Sequence, residues 1–268
     1  MNGEEIIKSF YESRKEDERL ASQSGAVEFS VTTAYIDRYL QPGDKIIEIG
    51  CGTGRYSLHY ARQGYDVTAL DLVEANLAVL RGHMRPGDDI EVVQGNALDL
   101  SRWADESFDI ALLLGPMYHL YTEADKLTAL KEALRVTKRG GVLFVAYCQF
   151  DAAMIQSIFS GKKLFDHVAQ NGLLDEAAWL PISNPEGIFE LHRKEDVDRL
   201  DAHLDADRLH YVGTDMFTYY IKNDIDQLDT EHYEKYISYT MSICENQNLV
   251  GASIHTLDIL RKRQDRAM

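Results

Sequence analysis

Cysteine is scarce in this chain, three residues in 268, at Cys51, Cys148 and Cys244. They have no metal-ligand spacing and form no even set, so neither a structural zinc site nor a disulfide framework is expected. A reduced, cytoplasmic setting is the simplest expectation. Positive charge is also short: 28 lysines and arginines face 44 acidic residues, for a formal net charge of −16. Nucleic acid is held mainly by clustered Lys and Arg on its phosphates, so it is disfavoured as a partner. The one basic cluster, Arg261-Lys262-Arg263 with Arg266, reads as a solvated tail after the last strand. No apolar run approaches bilayer-spanning length, so no membrane partner is expected. The opening Met1-Asn2-Gly3-Glu4-Glu5 lacks the basic and apolar regions of a secretory signal. Internal repeats and low-complexity segments are missing too.

What is present is an ordinary globular composition, 45% hydrophobic, in a length that suits one core domain with insertions. The most informative stretch is Glu48-Ile49-Gly50-Cys51-Gly52-Thr53-Gly54, between the apolar Lys45-Ile46-Ile47 and a helix-like segment. Three glycines at alternate positions make a strand-to-helix turn of little bulk, whose backbone a ligand can approach closely. Such a turn suits a nucleotide-like ligand beside a helix N-terminus. Dinucleotide binders favour Gly-x-Gly-x-x-Gly; here the third glycine comes one residue early, and Arg55 takes the place that pattern gives to glycine.

With Glu48 two residues before the first glycine, the motif resembles the class I S-adenosylmethionine-dependent methyltransferases, whose first motif reads acid-x-Gly-x-Gly-x-Gly. The following segments agree with it. Val67-Thr68-Ala69-Leu70 ends on Asp71, 21 positions after Gly50, where a carboxylate at the second strand tip can take both ribose hydroxyls. The alternative for Asp71 is a helix cap. The resemblance puts Leu72 against the adenine. After Ile90-Glu91-Val92-Val93, the family's Gly-Asp-Ala becomes Gly95-Asn96-Ala97. The Asn96 amide oxygen can still accept from the adenine amino group, although Asn is also an ordinary turn residue. Glu48, Gly50, Cys51, Gly52, Gly54, Asp71, Leu72, Asn96, Ala97 and Leu114 form the expected cofactor set, and a disulfide at Cys51 would obstruct the ligand.

The run Phe108–Leu114 is nearly all apolar, as a parallel strand buried on both faces requires. A helix is expected over Glu123–Val136, capped by Thr122 and closed by Lys138-Arg139-Gly140-Gly141. A fifth strand then covers 142–147. Strand, turn and helix in this order form a doubly wound α/β sheet. The resemblance implies seven strands, mostly parallel with the last antiparallel. It also implies a helical N-terminal cap over residues 1–40 and a core domain over 41–268, with lid insertions near 150–204 and 224–248. Two helix-like stretches, separated by Ala21-Ser22-Gln23-Ser24-Gly25, are expected in the cap. Arg208 to Tyr220 reads as a strand, 230–246 as a helix and Ala252 to Leu260 as the last strand.

Transfer of an activated methyl needs a held acceptor, exclusion of water and, for a neutral oxygen or protonated nitrogen, a base. His119, just past the fourth strand, has the intrinsic basicity for that role, and Tyr118 can orient the acceptor. A packed loop is an equal alternative for both. Tyr11, Arg14, Arg19 and Tyr147 are candidates to touch the substrate or the cofactor's amino-acid end. Tyr211, Tyr219, Tyr220, His255 and Asp258 read as packing. The Asn-Pro-Pro-aromatic sequence that accompanies transfer to exocyclic amino or amide nitrogens in the family is absent, with Gly115-Pro116-Met117-Tyr118 in its slot. The expected activity is methyl transfer to a small molecule by a monomer or homodimer. A nicotinamide-dependent oxidoreductase and a non-catalytic adenosyl-ligand sensor are the alternatives.

Overall fold

The computed structural model describes residues 3–12, 22–160, 162–187 and 189–264. Helices α1 (Gly3–Glu12) and α2 (Gln23–Ile36) precede strand β1 (Lys45–Ile49). Then come α3 (Arg55–Ala61), β2 (Asp66–Asp71), α4 (Glu74–His83), β3 (Ile90–Gln94), β4 (Phe108–Leu113), α5 (Glu123–Val136) and β5 (Thr137–Gln149). The second part carries α6 (Phe150–Ala153), which runs into a π-helical turn over Met154–Ile158, then α7 (Lys162–Gln170). The short strands β6 (Leu174–Asp175), β7 (Leu180–Pro181) and β8 (Leu191–His192) follow. Last come α8 (Lys194–Asp201), β9 (Ala206–Gly213), α9 (Lys222–Ile225), α10 (Thr230–Ile243) and β10 (His255–Lys262).

The main sheet has the order β3-β2-β1-β4-β5-β10-β9, with β8 added beside the end of β5. Strands β1 to β5 pair in parallel, and β10 is antiparallel to both neighbours. The expected doubly wound, mostly parallel sheet is therefore present, with an eighth, two-residue strand that the sequence did not reveal. Strand order reverses between β1 and β4, and in such sheets the crevice beyond the carboxyl ends of those strands receives the ligand.

Both faces of the sheet are buried, as the unbroken apolar strands require. On one face Ala129, Leu130, Ala133 and Leu134 of α5 lie with Ile47, Ala111 and Leu143. On the other, Val27, Val31 and Tyr35 of α2 cover Ile46, Ile110 and Phe144. Each fully buried Ile or Leu contributes roughly 1.5–3 kcal/mol relative to an exposed one, so these two layers hold the strand tips rigidly. The parallel register brings Glu48 beside Ala69 and Leu112.

Several boundaries differ from the sequence reading. Ser22 is the cap of α2, accepting from Gly25 N–H, so Gln23, Ser24 and Gly25 belong to the helix rather than to a break. Helix α5 begins and ends as expected, with the Thr122 hydroxyl accepting from Asp125 N–H. Lys138, Arg139, Gly140 and Gly141 already lie in β5, because Thr137 turns to extended geometry directly after the helix. The strand expected to reach Tyr220 stops at Gly213, and a 3-10 turn covers Thr218–Ile221. The last strand runs from His255 to Lys262 rather than from Ala252. Of the basic run, Arg261 and Arg263 are exposed and Arg266 lies outside the described residues, but the run is anchored rather than free. Lys262 is buried and donates to the carbonyls of Arg135 and Thr137, while Arg263 pairs with Asp207 and Asp205.

Candidate active site

The three glycines after β1 all have positive φ: 79° at Gly50, 55° at Gly52 and 83° at Gly54. Their surroundings differ. A Cβ on Gly50 would stand 2.6 Å from Pro116 Cδ, and one on Gly54 would stand 2.2 Å from Leu80 Cδ1. A Cβ on Gly52 would meet nothing within 4 Å. Two of the glycines thus permit close packing, and the middle one borders open space. The amides of Gly50 and Cys51 both donate to Leu70 O, at 2.7 and 2.9 Å, and tie the turn to β2. Cys51 is buried, and burial pushes its thiol well above the ordinary range, which leaves it protonated and unreactive.

Asp71, at the tip of β2, is 6% exposed. Its Oδ2 accepts from Gly52 N–H at 2.7 Å, and its Oδ1 accepts from Val73 N–H at 2.8 Å and Asn76 Nδ2 at 3.2 Å. A carboxylate has about four acceptor sites, so capacity for one more donor remains on Oδ2. Burial raises its pKa, against these hydrogen bonds. Glu48 lies deeper, 2% exposed, and accepts from both Ser57 N–H at 2.8 Å and the Ser57 hydroxyl at the start of α3. Burial pushes its carboxyl up to about 8. Leu72 is half-buried, and Ala97 is buried beneath the β3 loop. Asn96 Oδ1 accepts from Leu98 N–H, and its Nδ2 donates to Glu4 Oε1 at 2.8 Å.

At the other end of the crevice, Leu114 and Tyr118 are half-buried and pack on the α2 side of the core. Pro116 to Tyr118 forms a 3-10 turn, which delivers His119. The His119 Nε2 lies 2.9 Å from the Tyr11 hydroxyl, and the two rings meet edge to face. Phe189 packs against both His119 and Phe10. Helix α1 therefore reaches the Asn96 loop through Glu4 and the His119 loop through Tyr11. His119 thus touches both Tyr11 and Tyr118, which the sequence reading assigned to separate roles. Tyr147 does not join them: its ring is fully buried in the α5-side core, edge-on to His192. Arg14 and Arg19 lie outside the described residues.

Several site residues escaped the sequence reading. Ser57 and Asn76 hold the two key carboxylates, and helix-start positions gave the only signal for them. Phe189 lies between β7 and β8 and has no local signature. His255, expected as packing, has its Nδ1 2.7 Å from Asp215 Oδ2 and its ring 6.0 Å from that of Tyr118.

Residues 47–145 match the family model described as a methyltransferase domain. Over 105 residues the chain is 39% identical to a demethylmenaquinone methyltransferase of Renibacterium salmoninarum, covering 39% of this chain and 41% of that protein. Over 109 residues it is 33% identical to a ubiquinone biosynthesis O-methyltransferase of Pseudomonas entomophila, covering 40% and 46%. The matches therefore span less than half the length of these relatives. Among solved structures, a possible histamine N-methyltransferase of Thermotoga maritima superposes with a TM-score of 0.59 over 97% of this chain and 99% of its own, at 20% identity. At that identity the likeness speaks for the fold.

Proposed function

We propose that the chain, whose residues 47–145 match a methyltransferase domain model, transfers a methyl group from S-adenosylmethionine to a small-molecule acceptor. The observation that carries this reading is the open space beside Gly52, whose amide is held by Asp71 at the neighbouring strand tip. That cradle fits an adenosyl group: the backbone of Gly52 borders it, and Asp71 Oδ2 retains acceptor capacity for a ribose hydroxyl. Leu72 and Ala97 flank the adenine end, and Asn96 faces its polar edge. When bound, the cofactor supplies a methyl already activated by its sulfonium.

The protein's own work is holding, orienting and proton removal. Helix α1 covers the crevice from Asn96 to His119 and excludes water. Tyr118 orients the acceptor, and His119 takes its proton. Tyr11 is the residue that must give up its bond to His119 when an acceptor arrives. We further propose residues 1–40 as the cap, and 150–204 and 224–248 as the insertions that shape the acceptor space. No described helix is long and apolar enough to cross a membrane. The acidic balance and the buried, unpaired thiols support a cytoplasmic enzyme of small molecules, rather than one of nucleic acid.

Calorimetric titration with S-adenosylhomocysteine, with NADH in parallel, tests the proposal. Micromolar binding of the first, lost in Asp71→Ala, is expected. Binding of NADH alone would overturn it in favour of an oxidoreductase. Turnover across an acceptor panel separates an enzyme from a sensor.

A further inference from the structure

Among the described residues, one carboxylate beside the proposed acceptor space has only a distant cationic partner. Glu28, on α2, has a side chain only 19% exposed, and among the described residues its ion pair is a long one, 3.5 Å from Oε2 to His255 Nδ1. That nitrogen is already committed to Asp215, 2.7 Å away. Asp215 is fully buried and further satisfied by the Ser253 hydroxyl and the amides of Ile254 and His255. The Cys148 thiol lies against the same imidazole. Burial alone would lower the His255 pKa, but the charge of Glu28 and the bond to Asp215 raise it well above the ordinary value. Asp215 thus takes the closer contact with the imidazole, and Glu28 is left with the longer one. Nearly buried carboxylates are costly unless paired and hydrogen-bonded.

Glu28 and His255 lie beside the acceptor end of the proposed site. His255 opens β10 opposite Cys148, near the carboxyl end of β5. The Tyr118 ring stands between the two histidines, its centroid 6.0 Å from that of His255 and 6.4 Å from that of His119. The Tyr219 ring is 6.3 Å from His255. Aromatic faces and a carboxylate together favour a cation. We infer that Glu28, backed by the Asp215–His255 pair and walled by Tyr118 and Tyr219, holds the ammonium group of an amine acceptor.

This rests on the proposed methyl transfer and narrows its acceptor to small aliphatic amines. If the same nitrogen is methylated, it first gives one proton to His119. Its lone pair then takes the methyl carbon, and the pair of the broken carbon–sulfur bond stays on sulfur.

The test uses protein saturated with S-adenosylhomocysteine and three probes of one skeleton: tyramine, tyrosol and 4-hydroxyphenylacetate, whose heads are cationic, neutral and anionic. Calorimetry is expected to show tyramine binding about tenfold or more tighter than tyrosol, with the acid weakest. Glu28→Gln, which keeps shape and removes charge, is expected to bring tyramine down to tyrosol and leave the S-adenosylhomocysteine affinity unchanged. Equal binding of the three heads, no tyramine binding, or tyramine binding indifferent to Glu28→Gln would overturn the inference. A parallel loss of S-adenosylhomocysteine affinity would also overturn it, since Glu28 would then hold the donor's own ammonium. Failure of wild-type protein to bind S-adenosylhomocysteine at all is a different result, and it strikes the methyl-transfer proposal instead.

Discussion

The two ends of the crevice are built from different materials. The end beneath Asp71 is made of backbone: a glycine turn, two amides donated to Leu70 O, and two carboxylates held by amides and short side chains. All of it lies within 29 consecutive positions, Glu48 to Asn76. The end around His119 is made of side chains that arrive from α1, the 3-10 turn after β4, the insertion and the start of β10. Backbone geometry admits almost no variation, whereas an assembly of side chains can be changed one member at a time. This division suits a fold in which the shared ligand is bound by the first end and the acceptor is chosen by the second.

Substitutions at each end should break differently, and His119→Ala should give the largest effect. If His119 is the base, turnover with a true acceptor falls by roughly 10²–10⁴-fold, while S-adenosylhomocysteine affinity holds. Full turnover with unchanged affinity would remove the base assignment and leave proximity as the source of rate.

Next comes the pair Gly54→Ala and Gly52→Ala. At Gly54 the added methyl meets Leu80 in a left-handed backbone, and the combined cost should be about 2–4 kcal/mol in urea unfolding. At Gly52 only the backbone strain of about 1–2 kcal/mol applies, because the space is free, but ligand binding should fail. Equal stability loss at the two sites, with equal residual binding, would erase the distinction between a packing glycine and a ligand-facing one.

The smallest effect concerns pH. The Glu48 carboxyl is pushed up to about 8 by burial, from an ordinary 4.5. Between those values the folded state holds a proton that the unfolded state has released, so this group makes stability fall as pH rises through that window. Glu48→Gln keeps an acceptor for Ser57 and removes the titration. Its urea midpoint relative to wild type should therefore climb from pH 5 to pH 9. A constant difference would mean that Glu48 is ionised throughout.

The same contrast explains what could be read from the sequence. The glycine spacing, the aspartate 21 positions on and the apolar strands are local signals, and they specify the parallel sheet and the Asp71 end almost completely. The His119 end depends on meetings across the chain. Tyr11 and His119 are 108 positions apart, and Glu28 meets a histidine at the start of the last strand. The terminal basic run misled for the same reason: the carbonyls that Lys262 satisfies lie 125 and 127 positions earlier. Strand boundaries near Tyr220 failed because aromatic residues serve a 3-10 turn as readily as a strand.

The threading of β10 between β5 and β9 bears on the order in which the molecule is made. A chain emerging amino end first has β1 to β5 and the glycine turn in hand once residue 149 is out. Domains and their subunits of structure generally form in that order during synthesis. β9 must then wait, one edge unfilled, until His255 to Lys262 arrive and join it to β5. Newborn chains should thus become competent for the nucleoside before they can discriminate among acceptors, and a ribosome stalled between those points would display a binder without selectivity.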